Sequence, residues 1–237
     1  MSWARYALRR LFQMVPLLWG IITISFVITH ALPGDVAAAN LGQRAVEEPG
    51  IVAAFKQEWG LDRPLVVQYL IYLRNLLSGN LGRSIATRRP VATDLGTFLP
   101  ATVELATLAL LVSLSVGIPL GVLSAVRRGR SADHLARLVS LIGVSAPVFW
   151  LGLAGLFLLY FRLRLLPGPG RLSVGAGAPP RFSGLYLLDS LIAGQFGTFC
   201  DALAHLVLPA LVLGSYSTGL LTRVTRASLL EVLSQDY

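Results

Sequence analysis

Four uncharged apolar runs divide the chain, at 11–34 (LFQMVPLLWGIITISFVITHALPG), 105–126 (LATLALLVSLSVGIPLGVLSAV), 138–161 (LVSLIGVSAPVFWLGLAGLFLLYF) and 202–222 (ALAHLVLPALVLGSYSTGLLT). Each approaches the ~20 residues that cross a hydrocarbon core at ~1.5 Å rise per residue. A helix is the form in which one segment satisfies all its own backbone hydrogen bonds there, so each run is predicted to be a transmembrane helix. The first follows Arg5, Arg9 and Arg10, as a signal peptide would. It is too long for such a peptide's apolar region and ends without a small-residue cleavage pattern, so it is predicted to stay as a span. A fifth stretch, 185–200, is short and carries Asp189; it reads as an interfacial or re-entrant piece.

Between the first two runs the rhythm changes. In GLDRPLVVQYLIYLRNLLSGNLG, Pro64 stands where a helix starts and Gly79 where one stops. Val66, Tyr69, Leu70, Leu73, Leu76 and Leu77 then share one helical face. This predicts an amphipathic helix that lies on the membrane, covers the outer mouth of the spans, or simply packs. The Gly/Pro-rich LPGPGRLSVGAGAPP at 166–180 predicts an external loop. The predicted organisation is an N-terminus and first transmembrane helix over 1–34, an extracytoplasmic, partly helical segment over 35–100, and a transmembrane domain over 101–237.

Composition agrees with this class: 54% of the residues are hydrophobic and 14% charged, well below the ~25% charged of soluble domains, and mean hydropathy is +0.68. The net charge of +8 comes from arginines and a single lysine, Lys56. Arg5, Arg9, Arg10, Arg127, Arg128, Arg130, Arg137, Arg223 and Arg226 flank one side of a four-span layout, while Arg162, Arg164, Arg171 and Arg181 lie on the other. The bias places both termini in the cytoplasm and explains the charge without nucleic acid. Cys200, the one cysteine, allows no internal disulfide and reads as a small buried apolar residue.

Catalytic constellations do not emerge. His30, His134 and His205 are scattered, with no HExxH or G-x-S-x-G spacing. Lys56 follows IVAAF rather than a glycine-rich loop, so nucleotide phosphates would have to be held by another subunit. Ion coupling asks for ionisable groups inside spans; Glu104 reads instead as a partner of a helix dipole, and His205 as a satisfied interfacial histidine. The spans do carry helix-loosening residues, Gly117, Pro119, Gly121, Ser145, Pro147, Pro209 and Gly214, which permit close packing, kinks or gating. An ion-coupled secondary transporter and an intramembrane enzyme stay open as alternatives on the residues alone.

The ordered stretches RRLFQMVPLLWGIITISFVITHALPGD, GLDRPLVVQYLIYL, GNLGRS, LPATVELA, VGIPLGVLSAVRRGRSAD, GVSAPVFWLG, LPGPGR and RASLLEVLSQDY together resemble the membrane permease of a bacterial ABC importer. The family is that of dipeptide and oligopeptide (DppB/OppB-like) permeases, which also serves some nickel, glutathione and glycoside systems, and the resemblance covers essentially the whole chain. It implies an all-α, polytopic protein of the bacterial inner membrane with a cytoplasmic N-terminus, in which four transmembrane helices of an expected six are present. It implies transport by alternating access and no ATPase site in this chain. ATP and Mg would be bound by two cytoplasmic partner subunits, beside a homologous second permease subunit and an extracytoplasmic substrate-binding protein. Arg226, Leu229, Leu230, Glu231, Leu233, Asp236 and Tyr237 match the opening of the family's EAA coupling loop, which docks on the nucleotide-binding subunit. The glycine-bearing remainder of that loop would follow Tyr237, so the resemblance implies a chain cut within the loop.

Overall fold

The computed structural model describes residues 3–31, 49–84 and 86–235. Among these the regular structure is helical and contains no strand, and an isolated bridge pairs Arg83 with Pro90. Three helices are long and apolar enough to cross a membrane, or four if a sharply bent pair counts as one span. The chain divides into two compact units, Met1–Leu95 and Gly96–Tyr237. That division falls a few residues before the predicted boundary at 100/101; the one at 34/35 lies outside the described residues.

In the first unit, α1 covers Trp3–Ala31, α2 Pro49–Trp59 and α3 Leu65–Leu77. Pro64, with φ −54°, precedes α3, and the chain leaves it through Ser78 and Gly79, whose φ is +82°. The predicted apolar face of α3 is divided: Val66, Leu70 and Leu77 are exposed, Tyr69, Leu73 and Leu76 are half-buried, and Gln68 is the buried residue. Hydrogen bonds anchor the inward side. The Gln68 amide donates to the Arg63 carbonyl at 2.7 Å and to that of Leu61 at 3.3 Å, and its Oε1 lies 3.0 Å from His30 Nε2. Tyr69 and Thr23 hydroxyls meet at 2.6 Å, and Phe26 packs on the Tyr69 and Tyr72 rings.

In the second unit, α4 is Val91–Val126, of which residues from Gly96 onward belong here, followed by α5 Ser131–Ser145 and α6 Val148–Gly155. A π-helical segment, Leu156–Arg162, continues α6, and α7 Tyr186–Ile192 and α8 Phe196–Leu233 complete the unit. The second apolar run is thus the later part of a helix that starts 14 residues sooner. The third run is not one straight span: α5 and the α6 segment meet at 105°. Pro147 explains the break, because its ring excludes the residue before it from helical geometry, and Ala146 is extended at φ −76°, ψ 132°. The fourth run, the end of the 185–200 stretch and the charged tail merge into α8, 38 residues long.

The packing is inside-out relative to a soluble domain. Ala109, Ser113, Gly117, Gly121 and Ala125 recur every fourth residue along α4, and Ala210, Gly214, Thr218 and Thr222 do so along α8; all are buried. The two stripes run parallel, so close that a Cβ on Gly117 would lie 3.0 Å from the Thr218 carbonyl oxygen, and one on Gly214 2.9 Å from that of Ala109. Ser113 Oγ donates to the Gly214 carbonyl at 3.0 Å and Thr222 Oγ1 to that of Gly117 at 3.2 Å. Antiparallel α5 approaches α8 equally closely: a Cβ at Gly143 would lie 2.6 Å from the Ser215 carbonyl oxygen, and one at Gly219 2.6 Å from that of Ser140. Ser140 Oγ donates to the Gly219 carbonyl at 2.7 Å. In lipid no hydrophobic force drives helices together, so close contact and interhelical hydrogen bonds hold them. Leu110, Leu111, Phe149 and Leu211 face outward, as a lipid-facing surface requires.

Candidate functional site

Two polar clusters lie at opposite ends of the second unit. The first sits where α4 ends, α5 begins and α8 nears its C-terminus. Asp133, in the first turn of α5, is 1% exposed. Its Oδ1 accepts from Ser124 Oγ of α4 at 2.6 Å and from Arg226 Nε of α8 at 3.0 Å; its Oδ2 accepts from the Gly129 amide at 2.9 Å and Arg226 Nη2 at 3.2 Å. Gly129 can present that amide because the turn there needs φ +76°, open to glycine without strain. Arg137, one turn on, brings its Nε to 3.4 Å from Asp133 Oδ1. The forked Arg226 contact is the planar, two-nitrogen geometry that a carboxylate matches. One buried aspartate therefore ties three helices and a turn together.

The sequence-predicted coupling residues start at this clamp. Beyond Arg226, α8 continues without interruption through Leu229 and Leu230, half-buried, to Glu231 and Leu233, which are exposed. Asp236 and Tyr237 lie outside the described residues. Of the residues assigned to kinks or gating, Ser145 and Pro147 flank the break between α5 and α6, Ser145 being the last residue of α5. Gly117 and Gly121 are contact points with α8. Pro119 and Pro209 sit on exposed faces inside α4 and α8, which run on through them.

The second cluster is at the other end. Glu104, buried in α4, accepts from Arg171 Nη2 at 2.8 Å and from the Leu187 amide at 2.7 Å. It stands 13 residues after the first of its helix rather than in the opening turn, so the expected pairing with the helix dipole gives way to an ion pair. Arg171 also donates to the Gly184 carbonyl at 3.1 Å and stacks its guanidinium 3.5 Å from the Tyr186 ring centroid. Asp189, buried at the start of α7, accepts from the Ser183 amide at 2.9 Å, Ser183 Oγ at 2.7 Å and the Gly184 amide at 2.8 Å. Burial alone would raise its pKa, but these donors outweigh it and hold the carboxyl below its ordinary value. Asp201, near the start of α8, takes the Ser173 amide at 2.7 Å and its hydroxyl at 2.6 Å. His205 is buried and donates from Nδ1 to the Asp201 carbonyl at 2.8 Å. A cavity of about 170 Å³ opens here, lined by Thr97, Arg171, Pro179, Arg181 and Tyr186 among others.

Among the described residues, no group of His, Cys, Asp and Glu is placed to hold a metal ion. Cys200 is exposed on α8 rather than buried; the nearest buried residues of that helix are Ala202 and His205. Asp133 and Asp201 carried no role in the sequence reading, Arg171 entered only the charge bias and Asp189 only the reading of 185–200 as an interfacial or re-entrant piece. A signal existed for some: the four-residue spacing of small residues in α4 and α8 marks the packed faces, and a lone aspartate in the arginine-rich 127–137 stretch invites pairing.

Membrane-length helices packed through small residues, with charged clamps at both ends, define a polytopic membrane component. The chain belongs to the family of binding-protein-dependent transport system inner membrane components, whose main model matches residues 117–237 and whose N-terminal model matches residues 3–106. It is 46% identical over 229 residues to the probable D,D-dipeptide transport system permease protein DdpB of Escherichia coli, covering 97% of this chain and 67% of that relative. It is 40% identical to the di/tripeptide transport system permease protein DppB of Pseudomonas aeruginosa, over 97% of this chain and 68% of the relative. With the dipeptide transport system permease protein DppB of Escherichia coli the identity is 39%, over 98% and 69%. The family expected from the eight motifs is therefore the family found, and the chain is a membrane permease component of a binding-protein-dependent transport system.

Proposed function

We propose that this chain helps form the path by which an ATP-driven importer moves dipeptides or oligopeptides across the inner membrane. The observation that carries the substrate class is the shared one: the relatives described above are named for dipeptide or di/tripeptide transport. A homologous second permease completes the path, two cytoplasmic subunits bind ATP and Mg, and an extracytoplasmic binding protein delivers substrate. Arg226, Leu229, Leu230, Glu231 and Leu233, with Asp236 and Tyr237, open the surface that meets an ATP-binding subunit. The N-terminus and the 127–137 turn are cytoplasmic, supported by the arginine bias.

The test is uptake of a labelled dipeptide into vesicles holding the assembled transporter with its binding protein. Accumulation that requires ATP inside and loaded binding protein outside is the expected result. Accumulation driven by a proton or sodium gradient without ATP would refute it.

A further inference from the structure

We propose that Asp133 is a positioning residue for coupling: it makes the cytoplasmic ends of α4 and α5 follow α8 when the segment after Arg226 is displaced. The inference rests on the function proposed above and adds a residue and a route to it. Three observations carry it. Asp133 is 1% exposed, so its bonds are not exchanged with water. Its donors come from different elements, Ser124 from α4, Gly129 from the turn and Arg226 from α8. Finally, Arg226 lies three residues before Leu229, the first of the coupling leucines, in an unbroken helix.

The physical consequence follows from the spacing of contacts. Elsewhere α4 and α8 meet through small residues and single hydroxyl-to-carbonyl bonds, neutral contacts that resist sliding and rolling of one helix over the other less strongly than a charged one. A two-nitrogen guanidinium–carboxylate contact resists both, since its bonds depend on distance and planarity. A push on the 229–233 segment therefore reaches Arg226 through the helix, Asp133 through the fork, and α4 through Ser124. Without the fork, less of the α8 displacement reaches the ends of α4 and α5, and hydrolysis opens the path less often.

The experiment measures dipeptide taken up per ATP hydrolysed by the assembled transporter in vesicles, with loaded binding protein. Asp133→Asn keeps the shape but removes the charge and sets an amide or a weaker acceptor against the Gly129 amide and Arg226. Arg226→Lys keeps the charge on a part-exposed side chain and removes the fork, so it tests the same contact where Asp133→Asn assembles poorly. Ser140→Ala removes a buried α5–α8 hydrogen bond that lies along the helices, away from the clamp, and serves as the packing control. The expected result is a fall in the ratio of at least fivefold for Asp133→Asn and about twofold or more for Arg226→Lys, at equal recovery of assembled complex, with Ser140→Ala near wild type. A wild-type ratio in the assembled Asp133→Asn or Arg226→Lys transporter would overturn the proposal, and so would a ratio lowered as far by Ser140→Ala. A wild-type transporter that takes up no dipeptide with ATP would sink the underlying function instead.

Discussion

Replacing Gly219 by alanine tests the close approach of α5 and α8 most directly. The new Cβ would lie 2.6 Å from the Ser140 carbonyl oxygen and 2.7 Å from Val144 Cγ2. Carbon–oxygen contacts of this type settle at about 3.3 Å or more, so the helices must separate locally by roughly 0.7 Å. The oxygen is backbone and cannot swing aside. The same separation stretches the 2.7 Å bond from Ser140 Oγ to the Gly219 carbonyl past the usual ~3.0 Å limit for hydroxyl donors. Overpacking costs about 1–3 kcal/mol and the interhelical bond about 0.6 kcal/mol, against a gain of about 1 kcal/mol in helix propensity for alanine over glycine. The net loss is roughly 0.6–2.6 kcal/mol. Gly20→Ala in α1 is the matched control, because nothing lies within 4 Å of its added Cβ, leaving only the gain of about 1 kcal/mol. Reversible unfolding of the purified permease in mixed micelles, titrated with denaturing detergent, measures both. Equal stability of the two variants would refute the reasoning, because it would mean that the interface yields without cost.

Glu104→Gln removes the charge that holds Arg171 and should loosen the 166–180 stretch by about 2 kcal/mol, the worth of a hydrogen bond to a charged group; unchanged limited proteolysis there would count against it. The depressed pKa of Asp189 makes its contribution complete above the ordinary aspartate value of about 3.9 and lost as pH falls through the lower folded value. Amide protection at Ser183 and Gly184 should therefore hold steady from pH 8 to 5, weaken only under stronger acid, and be lost at neutral pH in Asp189→Asn. With Cys200 replaced, an impermeant thiol reagent added outside intact cells should label Val174→Cys, which is fully exposed, but not Ser131→Cys; the reverse pattern would invert the proposed topology. The double change Leu230→Asp and Glu231→Arg should insert normally yet abolish stimulation of ATP hydrolysis by loaded binding protein, and a preserved stimulation would remove these residues from the coupling surface.

Among the described residues hydropathy located the three membrane-length helices, because a membrane imposes a length and an apolar composition that few other environments demand. It missed how far helices continue beyond the apolar runs: α4 begins at Val91 and α8 runs to Leu233, since backbone bonding carries on after the apolar residues stop. Pro147 was visible as a helix-loosening residue, but the size of the bend, 105°, cannot be read from a proline alone. The apolar spacing of α3 did not show that Gln68 is its buried residue, because the carbonyls of Leu61 and Arg63 that take up its amide belong to the turn before the helix. The clamps at Asp133 and Glu104 join residues 93 and 67 positions apart, distances over which one sequence carries no pairing signal.

The length of α8 has a mechanical consequence. Its 38 residues span ~57 Å at ~1.5 Å each, nearly twice the ~30 Å hydrocarbon core. Asp201, fastened to Ser173, and Arg226, fastened to Asp133, stand ~38 Å apart on this one beam. Rocking such a beam by about 5° around its midpoint carries each fastening ~1.7 Å in opposite directions, more than a hydrogen bond tolerates. While α8 stays stiff, a see-saw of that size makes the partners at both ends follow it or both fastenings give way, so events at the two membrane faces share a single clock.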